Sequence, residues 1–272
     1  MFKSPNELKD YMKEFIGEGS FSYLETHSER FFRSYQILSN YNHNFEKEIL
    51  VNLASNNGIF VPAIHAISPF KQIHLIDYGE KNSENLKIQS SQEVINVKKH
   101  YLNLEKDYLP FKDESVDVVI FFEILEHLLY DPMHVLLEIN RILKINGVLF
   151  ISTPNLNSAG AFQRMLKGEN PNLFTPYRRI DKIYERHNRE FTLGEVKLLA
   201  NKAGLSVENV FTDPVKNFKI KFFLSLLKLL GISKIKNDEL GTFLYVLCKK
   251  NRRIDLEKID TDTRFPAPIY RY

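Results

Sequence analysis

The chain has 272 residues, 43% of them hydrophobic and 26% charged, which suits one globular domain with additions and does not require a second. A net charge of +3 and a pI near 8.7 are too slight to argue for nucleic acid and read as a solvated, lysine-rich surface. The single Cys248 excludes an internal disulfide and the cysteine-rich zinc sites.

The opening MFKSPNELKD lacks the apolar core of a signal peptide, and no stretch reaches the roughly 18 consecutive apolar residues that span a bilayer, so a cytoplasmic protein is expected. Ser4-Pro5 is a helix start, and Leu8, Tyr11, Met12, Phe15 and Ile16 recur on one side, predicting a helix over 4–16. A second helix is expected over about 21–38, carrying Tyr23, His27, Arg30, Phe31, Arg33 and Tyr35. EILVNL, 48–53, reads as the first strand, and Ala54-Ser55-Asn56-Asn57-Gly58 turns it into a helix beginning near Ile59. QIHLID, 72–77, is a second strand ending in an acid. The polar run 80–92 predicts a helix plus loop, and 94–104 a third strand.

Residues 116–122 are apolar apart from Asp117, as in a central strand covered on both faces. Asp131-Pro132 then opens a helix whose Val135, Leu136, Ile139 and Leu143 share one face, and Gly147 is expected to close it. With 148–152 as the next strand, this is a right-handed crossover between parallel strands. Ligands of such sheets sit beyond the carboxyl ends of the strands, so the loops 123–130 and 153–156 are expected to border a site. The long polar and aromatic segment 156–190, with Arg164, Lys167, Tyr177, Arg178, Arg179, Tyr184, Arg186 and His187, reads as a lid or binding loop, or else as disordered chain. A helix over 193–204 and two antiparallel edge strands, 205–213 and 242–249, complete the core. Between those strands, 217–232 is a basic amphipathic helix with Lys219, Lys221 and Lys228. It is read as packing over the sheet edge or against a second subunit, peripheral membrane contact being the other reading. The tail after Asn251 is expected to pack locally.

LPFKDESVDVVIFFEILEHL, 109–128, followed by LLEINRILKINGVLFISTPN, 136–155, resembles the second half of class I S-adenosylmethionine (SAM) dependent methyltransferases, in the branch acting on small molecules and sugars. The resemblance runs over roughly 47–205 and includes HNREFT, 187–192. It implies a Rossmann-like, seven-stranded, mostly parallel sheet with helices on both faces, an antiparallel edge strand and an N-terminal helical extension. The parts are then a helical cap, 1–46, a core, 47–250, containing lid 156–190 and helix 217–232, and a tail, 251–272.

The cofactor implied is SAM, with S-adenosylhomocysteine (SAH) as product. The family's first turn reads aspartate, apolar, glycine, any, glycine, any, glycine, where this chain has Asn52, Leu53, Ala54, Ser55, Asn56, Asn57 and Gly58. Asn52 keeps an acceptor without the charge, Ala54 adds a methyl, and Asn56 tolerates positive φ. Asp77 is expected to accept both ribose hydroxyls and Tyr78 to lie against the adenine. Asn103 and Leu104 fall where the family contacts the adenine amino group and ring nitrogen, and Glu123 completes the expected cofactor-binding set of Asn52, Ala54, Ser55, Asn56, Gly58, Asp77, Tyr78, Asn103 and Leu104.

Methyl transfer from a sulfonium is an in-line displacement, so the protein must align the partners and take a proton where the acceptor is a hydroxyl. His127, four residues from Glu123, and His187 in the lid are the candidate bases, with His27 a remoter one. Glu123, Glu126, His127, Asp131 and His134 crowd one stretch, but Pro132 breaks the register between the histidines, and no metal is expected. Covalent catalysis finds no G-x-S-x-G elbow, and Cys248 falls on an edge strand. The expected activity is O-methylation of a small polar acceptor, such as a sugar, sugar phosphate or surface-polysaccharide precursor, the lid arginines suiting a phosphorylated one. A methyltransferase-like binding or scaffolding domain is the alternative. A nicotinamide enzyme is disfavoured because G-x-G-x-x-G is absent after the first strand. The oligomeric state is left open.

Overall fold

Ser4 accepts the Glu7 N–H and Pro5 occupies the first turn, so the chain enters helix α1 (Pro5–Lys13) as its sequence dictates. The computed structural model describes residues 1–41, 49–67, 70–172, 185–215, 229, 231 and 237–254. They divide into two units, one of Met1–Asp107 with Ser115–Ile120 and one of Tyr108–Glu114 with Phe121–Tyr272.

In the first unit the expected second helix is two, α2 (Phe21–Thr26) and α3 (Ser28–Tyr41), because His27 leaves helical geometry at φ −110°. Strand β1 (Ile49–Leu53), helix α4 (Val61–Ile67) and strand β2 (Gln72–Asp77) follow. Then come β3 (Glu84–Gln89), β4 (Val94–Tyr101) and most of β5 (Val116–Phe122). The strand order here is β3-β4-β2-β1-β5. β4, β2, β1 and β5 pair in parallel and β3 antiparallel to β4.

β3 corrects the expected helix of 80–92 and makes the count of strands eight rather than seven among the described residues. Leu86 and Ile88 alternate with polar residues and pair with Val97 and Ile95, while the Ser90 hydroxyl accepts the N–H groups of Gln92 and Glu93 to close the hairpin. Asp117, the one polar residue of the central strand, accepts the Ile49 N–H at 3.0 Å and so fixes where β1 begins.

The second unit holds α5 (Pro132–Ile142), β6 (Leu143–Pro154), α6 (Ala159–Leu166), α7 (Leu193–Lys202), β7 (Leu205–Thr212) and β8 (Phe243–Lys250). From the end of β5 the order is β5-β6-β8-β7, with β8 antiparallel to both β6 and β7. Asp131 caps α5 by accepting the Met133 N–H at 2.9 Å, and Val135, Leu136, Ile139 and Leu143 are all buried, each contributing about 1.5–3 kcal/mol. α5 ends one turn before Gly147, and the positive φ falls on Asn146 at 68°. Gly147 is required for space instead, since a Cβ there would lie 2.8 Å from the Lys144 carbonyl oxygen.

Arg141 on α5 donates to Glu138 and Asp113 and to the carbonyls of Leu109 and Phe111, tying the 109–113 loop to the helix. Among the described residues no helix is long and apolar enough to cross a membrane. The expected helix 217–232, apart from Leu229 and Gly231, lies outside the described residues, as do Tyr177, Arg178, Arg179, Tyr184 and the tail from 255.

Candidate functional site

Asn52 is buried near the end of β1. Beyond it the main chain is left-handed at Ala54 (φ 44°), Asn56 (46°), Asn57 (57°) and Gly58 (79°). Asparagine tolerates this geometry and glycine has no Cβ to oppose it, but Ala54 bears about 1–2 kcal/mol of strain. Strain of this kind persists where surrounding groups impose it. Asp77, at the end of β2 as expected, holds the residues that follow Ala54. Its Oδ1 accepts from the Ser55 hydroxyl at 3.2 Å, and its Oδ2 from the Asn57 N–H at 3.3 Å and the Lys99 ammonium at 2.8 Å.

Lys99 also donates to Asn57 Oδ1 at 2.6 Å and lies 4.8 Å from the centroid of the Tyr101 ring. Burial disfavours its charge, but the hydrogen bond and charge of Asp77 outweigh that and hold its pKa above the ordinary lysine value. Gly58 completes the turn by packing, since a Cβ would meet Ile88 Cδ1 at 2.7 Å.

The fit of this turn to an adenosyl group follows from acceptor directions. A carboxylate has about four, and three of Asp77's are taken within the protein, leaving one on Oδ1 for a ribose hydroxyl rather than the bidentate grip expected. Tyr78 presents its ring to solvent at 67% exposure, as a stacking platform must. The Leu102 N–H donates to the Asp77 carbonyl at 3.0 Å, bringing the segment after β4 to the same strand end. There Asn103 Oδ1 accepts the Glu105 N–H at 2.9 Å, and Leu104 is half-buried. The residues fit an adenosyl ligand through one acceptor of Asp77, the exposed face of Tyr78 and the 103–104 segment.

The second unit brings together residues 60 apart in sequence. Glu123 follows the last residue of β5 at φ 55°, and its Oε1 accepts from the Ser152 hydroxyl at 2.6 Å. In the helical turn Leu125–His127, the Glu126 carboxylate is wholly buried and accepts from Thr153 Oγ1 at 2.9 Å. His127 Nδ1 lies 2.9 Å from the Arg186 carbonyl oxygen, which only accepts, so Nδ1 bears the proton. Nε2 is then the lone-pair nitrogen of the neutral ring, 4.0 Å from Glu126 Oε1.

His187 Nδ1 lies 3.3 Å from the Glu190 carboxylate, which selects the same tautomer. The two rings meet edge to face with centroids 4.8 Å apart. Asn188 fastens the arrangement, donating its N–H to the Glu126 carbonyl at 2.7 Å and its Nδ2 to the His127 carbonyl at 2.8 Å, while Arg186 Nε donates to Asn188 Oδ1. The carboxylate beside His127 is therefore Glu126, its sequence neighbour, with Glu123 directed to Ser152.

Residues 51–151 match the family model described as a methyltransferase domain. Over this stretch the chain is similar to SAM-dependent methyltransferases. A probable SAM-dependent methyltransferase of Mycolicibacterium smegmatis is 34% identical over 101 residues, 37% of this chain and 33% of that protein. One of Mycobacterium tuberculosis is 34% identical over 85 residues, 31% of this chain and 28% of its own length. The chain thus matches about a third of the length of these curated relatives. Of solved structures, a chain from the complex between the Haloferax volcanii Trm112 methyltransferase activator and its candidate methyltransferase superposes with a TM-score of 0.53 at 14% identity, covering 93% of this chain and all of that one. A SAM-dependent methyltransferase of Archaeoglobus fulgidus gives 0.51 at 14% identity, covering 85% and 100%. These likenesses establish the Rossmann-like methyltransferase fold.

Burial pulls the pKa of His27 down to about 4, with Arg30 adding to the effect, so that ring is neutral. The Tyr23 hydroxyl accepts from Arg30 at 2.8 Å. Burial pushes the Cys248 thiol up to about 12, with Glu208 adding to it, consistent with an inert core thiol. No local motif marks Lys99 as partner of Asp77 or places Glu126 beside two histidines. A lysine at the third buried position of an alternating strand, Ile95, Val97, Lys99, was the available signal for the first.

Proposed function

We propose that this methyltransferase domain transfers the methyl group of SAM to an oxygen of a small polar acceptor, such as a sugar, sugar phosphate or surface-polysaccharide precursor, in the cytoplasm. When bound, SAM supplies an electrophilic methyl group on sulfur. In this reading Asn52, Ala54, Ser55, Asn56 and Gly58 hold the methionine end, and Asp77 accepts a ribose hydroxyl. Tyr78, Asn103 and Leu104 border the adenine, and Glu123 contributes from the end of β5. The observation that carries the oxygen-acceptor reading is the pair of imidazoles locked with Nδ1 protonated, His127 by the Arg186 carbonyl and His187 by Glu190. Each presents Nε2 to take the hydroxyl proton as the C–O bond forms and the C–S bond breaks.

The test supplies SAM with a panel of neutral sugars, sugar phosphates and amines and follows SAH release, with products identified by NMR. Accumulation of an O-methyl ether is expected. Methylation confined to nitrogen or carbon acceptors overturns the oxygen reading.

A further inference from the structure

The cluster of Glu126, His127 and His187 offers one ligand atom from each residue, all within 4.8 Å of one another. We propose that these three side chains hold a divalent first-row transition ion of the zinc class. Three features of the chain point there. The donors are two imidazoles and one carboxylate, a set that suits zinc, iron or nickel and not magnesium or calcium, which prefer all-oxygen shells. Both rings already have the outer partner that metal-bound histidines require, a carbonyl for His127 at 2.9 Å and a carboxylate for His187 at 3.3 Å, each on Nδ1, so that Nε2 is the ligating nitrogen. The carboxylate is wholly buried and oriented through Thr153 at 2.9 Å, so a cation gains there the full benefit of low dielectric.

Bonds of about 2.0–2.2 Å to a tetrahedral ion place ligand atoms roughly 3.4 Å apart, so closure needs a movement of about 1 Å, within reach of χ rotation. Three protein ligands leave one position open, the pattern of a catalytic rather than a structural site. Within the 123–134 stretch Pro132 breaks the register between His127 and His134. The fold instead brings His187 from 60 residues away, its ring against that of His127. The proposal rests on the methyl-transfer reading and deepens it at the same residues: an ion there would lower the pKa of the acceptor hydroxyl as a Lewis acid, the proton would leave to solvent, and the imidazoles would serve as ligands in place of bases.

The experiment uses the full chain after dialysis against a chelator, titrated with ZnCl2 by calorimetry and with CoCl2 by visible absorption. One zinc per chain is expected, with a cobalt spectrum of mixed nitrogen and oxygen ligation. His127→Ala and His187→Gln should each weaken zinc binding by about 100-fold, and Glu190→Gln, which acts through His187, by roughly 10-fold. His134→Ala should leave it unchanged. Far-ultraviolet spectra and ion-free melts establish that each variant is folded, and His187→Gln, at a partly exposed position, serves should His127→Ala lose its fold. Absence of saturable one-to-one binding, or undiminished affinity in the folded His187 variant, overturns the proposal. A parallel SAH titration separates the two readings: zinc bound without SAH removes methyl transfer and keeps the ion, and SAH bound without zinc does the reverse.

Discussion

Replacing Asp77 by alanine should unfold the domain more readily before it affects any ligand. Asp77 and Lys99 lie 2.8 Å apart with side-chain exposures of 16% and 5%, so the substitution leaves an ammonium in a nearly dry place. Breaking a buried pair from one side costs about 3–5 kcal/mol. Lys99 keeps its bond to Asn57 Oδ1 and its position over Tyr101, which favours the lower end, about 3 kcal/mol. For a chain of this size that corresponds to a fall in Tm of roughly 6–12 °C, measured without ligand. Lys99→Met is milder, because the carboxylate retains Ser55 and the Asn57 N–H. The double variant should then be more stable than the sum of the two by about 1 kcal/mol or more. An Asp77→Ala protein that melts with the parent, or strict additivity in the cycle, would refute the ion pair and with it the account of the strained turn. SAH affinity should fall by a further 1–3 kcal/mol or so if Asp77 also holds a ribose hydroxyl.

Arg141→Ala removes the bonds to Glu138, Asp113, Leu109 and Phe111 and strands a buried Glu138 carboxylate, so a loss of about 3–5 kcal/mol is expected in urea denaturation; a loss below about 1 kcal/mol contradicts it. His74 and His100 are hydrogen-bonded at 3.0 Å, and burial is the chief cause that pulls the pKa of His74 down to about 4 and that of His100 below its usual value. The unfolded rings take protons near 6.5 while the folded ones resist, so their contribution to stability is complete above about 6.5 and is lost as pH falls toward 4. Melts across that window should show the decline, and His74→Gln with His100→Gln should flatten it; an unaltered slope in the variant counts against the buried pair. Gly58→Ala should destabilise by about 1–3 kcal/mol, since φ is 79° and the new methyl would sit 2.7 Å from Ile88; a neutral effect in thermal melts would show the turn is not so confined. His127→Gln should lower turnover while SAH affinity is preserved, and full activity would remove His127 from the chemistry.

The parts legible in the sequence were those governed by local rules. Asp131-Pro132, the face of α5, the apolar β5 and the acid ending β2 were placed by capping, periodicity and burial, and the structure has them at those positions. The segment 80–92 misled because its polar residues hide a two-residue alternation, Leu86 and Ile88, that only pairing with β4 makes productive. Gly147 was assigned a conformational role when its requirement is steric, which no local pattern distinguishes. The candidate residues were found singly and their partners were not. Ser55 and Asp77 are 22 apart, Asn57 and Lys99 are 42 apart, and His127 meets the Arg186 carbonyl across 59, separations set by tertiary pairing rather than by any motif.

Calorimetric titration of the unmodified protein with SAH tests the central claim most directly. Saturable binding of one SAH per chain, weakened by Asp77→Ala beyond that variant's loss of stability, is the expected result. A fully folded protein that gives no heat and no thermal shift at millimolar SAH contradicts the account, and leaves this fold to serve as a binding domain.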